Sequence, residues 1–375
     1  MARAIYTMCV RPSHVHLVTS MLAMVCAACE PRTCQPTETL DPWISAGQTI
    51  SSRELDLTRD EYPLVTARVK IIGGTPYFSE PPWAETNAFV HSTGRAGLLQ
   101  NRFAAVVRLL SNLTKMAELP DTDFVLNLGD IPIVRLWDTW PVISFSSSPH
   151  HADILAPDPA INDHTLRWPL GVVTQSAEPR LPFSSRAARA FFVDDLVDIG
   201  SRLDVSTRHS TTARLRRMAA RRPDLLATAR AREDETAVQA KYVVIDRPWL
   251  SSRVLHLAMS GAVPLIATTV YRSYWCACEA EAGVHYLPIQ PDLSDLEATI
   301  SSLREREDHA AAIAARAAHW AASCAAPEAI NAYWKDLLHR YSEILSFRPF
   351  SRANKSTGAS AELDFLWQQA SASDE

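Results

Sequence analysis

A basic excess, zinc-type cysteine pairs, membrane-length apolar runs and the common nucleotide and hydrolase loops are all missing from this 375-residue chain. Each absence closes a class of function. A net charge of −5 gives no general attraction for nucleic acid or for an anionic membrane. Seven cysteines, at 9, 26, 29, 34, 276, 278 and 324, include no two CxxC motifs at zinc spacing, which argues against a metal site and against a disulfide framework. Cys276 and Cys278 are poorly placed to bridge each other and read as structural. No Walker-type phosphate loop, no G-x-S-x-G elbow and no H-E-x-x-H helix occurs. His150-His151 lacks a third ligand, and Asp194-Asp195 is adjacent rather than D-x-D, so no metal is expected at either.

What is present is enough apolar sequence, 47% of residues, to build a core of two-domain size. The segment VHLVTSMLAMVCAAC near the start has the length of a signal-peptide core and follows Arg3, Arg11 and His14. It reads as a secretory signal or membrane anchor, with an ordinary N-terminal helix as the alternative. Two sequons, at Asn112 and Asn354, are compatible with a secretory route. The Arg-rich run from 214 to 232 has Leu, Met and Ala at helical spacing, so its basic residues read as the solvated face of a helix.

Texture divides the rest. Residues 30 to 60, rich in Pro, Thr and acids, read as a tether. Beyond it, ARVKIIGGTPYF predicts two strands around a Gly-Gly turn, 94 to 120 a helix, and FVLNLGD and WPVISFSSS two further strands. Pro-punctuated loop follows from 150 to 190, and then α/β texture returns: helix 211–232, strand KYVVID, helix SSRVLHLAMSGA, strands VPLIATT and VHYLPI, and Ala-rich helix to about 324. A helix over EAINAYWKDLLHRYSEIL closes the fold before a polar tail. Helices between strands predict an α/β architecture with parallel sheets and two facing Rossmann-like domains. The expected division is 1–60 signal or anchor plus tether, 61–188 acceptor-side domain, 189–325 nucleotide-side domain, 326–348 closing helix crossing back, and 349–375 tail.

In such sheets ligands sit beyond the carboxyl ends of the strands. Asp130, at the end of FVLNLG, is there as either a general base or a turn cap before Pro132; spacing alone leaves both open. A diphosphate-bearing ligand needs backbone N–H groups at a helix start and one or two arginines. Gly200-Ser201-Arg202 ahead of Arg214, and Ser251-Ser252-Arg253 after KYVVID, offer these, with Ser also a suitable helix cap.

From about 66 to 346 these stretches together resemble the protein O-glucosyltransferases of the secretory pathway, the Rumi-like enzymes, and the fungal capsule-associated and lipopolysaccharide-modifying transferases of glycosyltransferase family 90. RVKIIGGTPYF, DFVLNLGDIPI, ADILAPD, Trp168-Pro169, SSRVLHLAMSGAVPLI and VHYLPIQPDLSDL follow that family's order and spacing. The resemblance implies a GT-B fold and inverting transfer from UDP-glucose or UDP-xylose to a hydroxyl on protein or glycan, without an essential metal or other cofactor. It implies Asp130 as the base. It places the family's donor-binding positions on Gly200, Ser201, Arg214 or Arg208, Ser251 and Arg253. The chain departs from the family at Asp198-Ile199, where an arginine is lost, and at Asp246-Arg247-Pro248-Trp249, where Pro cannot donate an N–H and Arg247 is the available substitute. A silent binding module that has lost catalysis is the alternative reading.

Overall fold

The computed structural model describes residues 39–63, 65–78, 95–135, 140–162, 181–194, 211–230, 239–248 and 250–349. The N-terminal signal or anchor segment, Trp168-Pro169, Gly200, Ser201, Arg208, Asn354 and the C-terminal tail fall outside them.

Two short helices open the described chain, α1 (Asp41–Ser45) and α2 (Ser52–Glu61). The tether expected here is therefore structured from 41 onward. Ser51 and Glu54 form a reciprocal capping box, and Leu55 is buried, so a local start signal and one apolar contact suffice where no long periodicity exists. Next come β1 (Thr66–Ile72) and β2 (Thr75–Phe78), an antiparallel hairpin whose turn residues Gly73 and Gly74 have φ of 55° and 76°. Two successive positive φ angles are why Gly-Gly stands there.

The long helix α3 (Arg95–Met116) precedes β3 (Thr122–Asn127), β4 (Val142–Ser144), β5 (Ser146–Ser147) and β6 (Ile154–Leu155). The first sheet has the order β2-β1-β3-β4-β6, in which β3, β4 and β6 are parallel but β1 runs antiparallel to both neighbours. A buried pair ties β1 to β3, with Arg68 Nε donating to Asp123 at 2.8 Å.

The second sheet is wholly parallel. It contains β7 (Ala187–Asp194), β8 (Leu226–Arg230), β9 (Ala240–Ile245), β10 (Val263–Ala267) and β12 (Leu287–Ile289), in the order β12-β10-β9-β7-β8. The helix expected over 211–232 ends early: α4 spans Thr211–Arg221 and the rest turns into β8. Leu225 and Leu226 are buried there, so burial beside β7 overrides the helical spacing. Helix α5 (Ser251–Met259) connects β9 to β10, and β11 (Arg272–Ser273) pairs antiparallel with β5, joining the two halves. The Ala-rich stretch is two helices, α6 (Leu296–Glu305) and α7 (Glu307–Cys324), broken at Arg306, and α8 (Pro327–Glu343) follows.

Alternation along β7 and β9 divides the core. Phe191, Val193, Val243 and Ile245 point into a large cluster shared with β3, β4, α5 and α8, while Phe192, Tyr242 and Val244 pack with Leu296, Ile300 and Ile313 of α6 and α7. Helix α8 returns to the first sheet: Tyr341 meets Phe124 edge to face at 6.2 Å and the Tyr333 hydroxyl donates to the Leu155 carbonyl at 3.0 Å. Cys278 and Cys324 form a disulfide across 46 residues. Cysteine spacing indicates no disulfide framework and reads Cys278 as structural; the fold corrects this by bringing the end of α7 beside the turn at 274–278.

Candidate active site

Asp130 lies two residues past Leu128 in the loop leaving β3, its side chain 42% exposed. The loop is pinned from several directions. Asn127 Oδ1 accepts from Gly129 N at 2.8 Å, and Asn127 Nδ2 donates to the Ile131 carbonyl at 2.9 Å and to Ser144 Oγ at 3.1 Å. Asp153 accepts from the amides of Ile133 and Val134 at 3.0 and 2.8 Å, and Ser146 Oγ donates to the Asp130 carbonyl at 2.9 Å. The turn thus presents the carboxylate to solvent, while backbone partners that a capping Asp130 would have to satisfy are taken by Asn127 and Asp153.

Arg102 of α3 reaches the same carboxylate. Its guanidinium pairs with Asp130 at 2.7 Å, lies 3.9 Å from Asp158 and donates to the Leu128 carbonyl at 2.7 Å. Burial alone would lower the Arg102 pKa, but the facing Asp130 and Asp158 charges outweigh it and raise the pKa instead. The Phe145 ring lies 5.6 Å from the guanidinium carbon. Asp158, buried just past β6, caps the following turn through Ala160 N and accepts from Ser252 Oγ of α5 at 3.3 Å. Arg102, Asp158 and Ser252 therefore carry polar contacts from the first sheet to the start of α5.

The strand order of the second sheet is doubly wound, with its reversal between β7 and β9. At that point Arg253 donates to the Val193 carbonyl at 2.6 Å and pairs with Asp246 at 3.1 Å, and it is 1% exposed. Asp246 also accepts from Thr212 of α4. The structure caps α5 at Leu250, not at a serine; Ser251 is in its first turn, where its hydroxyl accepts from Trp275 N at 3.4 Å. The residues 246–248 that depart from the family turn here, and the Pro248 carbonyl accepts from Trp275 Nε1 at 2.6 Å and Ser273 Oγ at 3.1 Å. Arg247 is half-buried beside them.

Arg214 is set on α4, with Nη1 donating to the Pro291 carbonyl at 3.4 Å; Leu215 is the residue that α4 buries. The exposed Arg222 that follows pairs with Asp224 at 2.9 Å. His151 contacts Ser148 Oγ at 2.7 Å, and among the described residues no group of acidic, His or Cys side chains is arranged to hold a metal. Asn112 is on the exposed face of α3.

The profile of the family described as Glycosyl transferase family 90 matches residues 87–363, which takes in both strand ends. This chain belongs to glycosyl transferase family 90. Among curated proteins the family-90 chain is similar to Protein O-glucosyltransferase 1 of Rattus norvegicus and of Homo sapiens, each 24% identical over 264 residues, and of Bos taurus, 23% identical. Those alignments cover 63% of this chain and 66% of the relatives, so it spans just under two thirds of their length. Glycosyl transfer is thus the activity class of the family.

Sequence reasoning missed Arg102, Asp153, Asp158 and Thr212. One signal existed: Arg102 falls on the stripe of Leu99 and Val106, all three buried, so a charge sat where helical spacing demanded an apolar residue. The partners that make it tolerable, Asp130 and Asp158, come from the loops after β3 and β6, and their meeting with Arg102 leaves no mark in local spacing.

Proposed function

We propose that this chain is an inverting transferase that moves glucose or xylose from a UDP-sugar to a hydroxyl of a protein or glycan. The single observation that carries the reading is the half-exposed Asp130, held across Arg102, Asp158 and Ser252 from the switch point of the parallel sheet. In this reading the two sheets form a GT-B pair, with the acceptor on the Asp130 side and the nucleotide beyond β7 and β9. The acceptor O–H gives its proton to Asp130, the oxygen bonds to the anomeric carbon, and the bond to UDP breaks with its electron pair leaving on the diphosphate. Ser251, Arg253, Arg247 and Arg214, with Gly200 and Ser201 outside the described residues, are the donor-side groups; the arginines offset the leaving-group charge. No metal or other cofactor is needed for these steps.

A secretory location fits the Cys278–Cys324 bond, since disulfides persist in oxidising compartments. Among the described residues no helix is long and apolar enough to cross a membrane. Incubating the protein with UDP-glucose, UDP-xylose and UDP-galactose and measuring UDP release tests the donor without knowing the acceptor. Release from UDP-glucose or UDP-xylose that is lost in Asp130→Asn is the expected result; no release from any of them overturns the reading.

A second reading, a binding module without catalysis, is favoured by Arg253 itself, whose guanidinium is buried against Asp246 and the Val193 carbonyl. Calorimetric titration with UDP separates the two, because only the enzyme reading requires micromolar binding.

A further inference from the structure

Asp153 is a buried carboxylate beside the Asp130 loop that the reaction above does not use. It stands just before β6, 1% exposed, and each of its side-chain contacts is with a neutral donor: the amides of Ile133 and Val134 and the Ser144 hydroxyl. Ser144 in turn accepts from Asn127 Nδ2, and Asn127 receives Gly129 N and donates to the Ile131 carbonyl. From Gly129 to Val134, Asp153 and Asn127 thus hold the backbone on both sides of Asp130, reaching one another through Ser144. Two amide donors converging on one carboxylate define the path of a loop better than a single bond, because shifting either amide breaks its angle to the oxygen.

We propose that Asp153 is a positioning residue for transfer, whose ionised carboxylate sets the turn that aims Asp130 at the acceptor hydroxyl. The proposal rests on Asp130 being the base. Burial pushes the Asp153 carboxyl up to about 6, with the Ser144 hydroxyl and the amides of Ile133 and Val134 pulling against it. The clamp therefore weakens on acidification through that value, when one oxygen becomes a donor facing the amide that had bonded to it, Ile133 N at Oδ1 or Val134 N at Oδ2. Other charged or titratable groups on the packed segments are Asp130 and Arg135 of the same loop and His150 and His151 ahead of β6. Of these His151 also bears on the acid range: burial, then His150 and Arg135, lower its pKa.

The test uses the full chain and two readouts. In UDP-sugar turnover, Asp153→Asn is expected to lower kcat on the order of 100-fold with the donor KM little changed, as for misplacement of a reacting group. Ser144→Ala, a milder change, is expected to move the acid limb of the wild-type rate profile to higher pH, whereas His151→Gln leaves that limb in place. Amide hydrogen exchange, corrected for intrinsic rates, is expected to show Ile133 and Val134 losing protection between about pH 7 and about pH 5 in wild type, with no such step in Asp153→Asn. A kcat for Asp153→Asn equal to wild type, an acid limb that moves with His151 instead of Ser144, or protection unchanged across that range overturns the proposal. If Asp130→Asn is as active as wild type, the base assignment fails by itself; the exchange result then still decides whether Asp153 holds the loop.

Discussion

The loop after β3 and the start of α5 both end parallel strands, yet they present their charge in opposite ways. Asp130 is 42% exposed; Asn127, Asp153 and Ser146 hold the backbone of its loop, and its carboxylate keeps an open side while pairing with Arg102 at 2.7 Å. Arg253 is 1% exposed and spends its guanidinium on Asp246 and the Val193 carbonyl. An exposed group on a clamped loop suits accepting a proton from an incoming hydroxyl, where geometry must precede binding. A buried ion pair at the switch point suits a different task, because it holds β7, β9 and α5 in one arrangement and meets a diphosphate only through groups already oriented.

That contrast predicts two kinds of damage. Asp130→Asn is expected to lower transfer by about 100- to 10,000-fold with a smaller fall in thermal midpoint than Arg253→Met, because the buried Arg102 loses one counter-charge but keeps Asp158 and the Leu128 carbonyl; a fall as large as that of Arg253→Met would mean that the loop depends on the carboxylate. Arg253→Met should do the reverse first, destabilising the protein by about 3–5 kcal/mol in denaturant unfolding because the Asp246 charge is left buried. A stable Arg253→Met protein that has lost only UDP binding would mean that the guanidinium acts on the donor alone and does not hold the strand ends together.

Between these lies Asp153, whose folded-state pKa is raised from 3.8 to about 6. The unfolded chain loses its proton first as pH rises, so this group favours the folded state below about 4 and that advantage is lost as pH passes about 6. Relative to Asp153→Asn, wild type is expected to lose up to about 3 kcal/mol over that window, at about 1.4 kcal/mol per pH unit. Parallel unfolding curves for the two proteins from about pH 4 to about pH 7 would show that Asp153 is not held in the buried setting described.

Among the described residues the disulfide has no counterpart on the Asp130 side. It braces the turn at 274–278, which touches Ser251 and Pro248 through Trp275. Replacing Cys278 and Cys324 together by Ser is expected to cost about 2–4 kcal/mol and to weaken UDP binding without altering the acid limb of the rate profile. The smallest effect is expected from Arg102→Lys, which keeps a charge facing Asp130 and Asp158 but loses the forked contact to the Leu128 carbonyl. A rate reduction of about 10-fold is anticipated from a slightly displaced base.

Local signals determined much of this protein. Gly73-Gly74 announced a hairpin, the apolar runs FVLN and KYVVI announced buried strands, and Asp130 at a strand end was recognisable as a candidate because ligand sites in parallel sheets form there. Where local and tertiary preferences disagreed, packing won: 226–230 became a strand beside β7, and 41–61 became helices against the first sheet. What only the tertiary structure decided was the company each group keeps. Arg102 meets Asp158 across 56 residues, Asp158 meets Ser252 across 94, and Cys278 meets Cys324 across 46, contacts with no trace in spacing or period. The reason is physical: a buried charge or a paired thiol is defined by partners that the fold brings together, whereas strands, turns and helix starts are defined by neighbours along the chain.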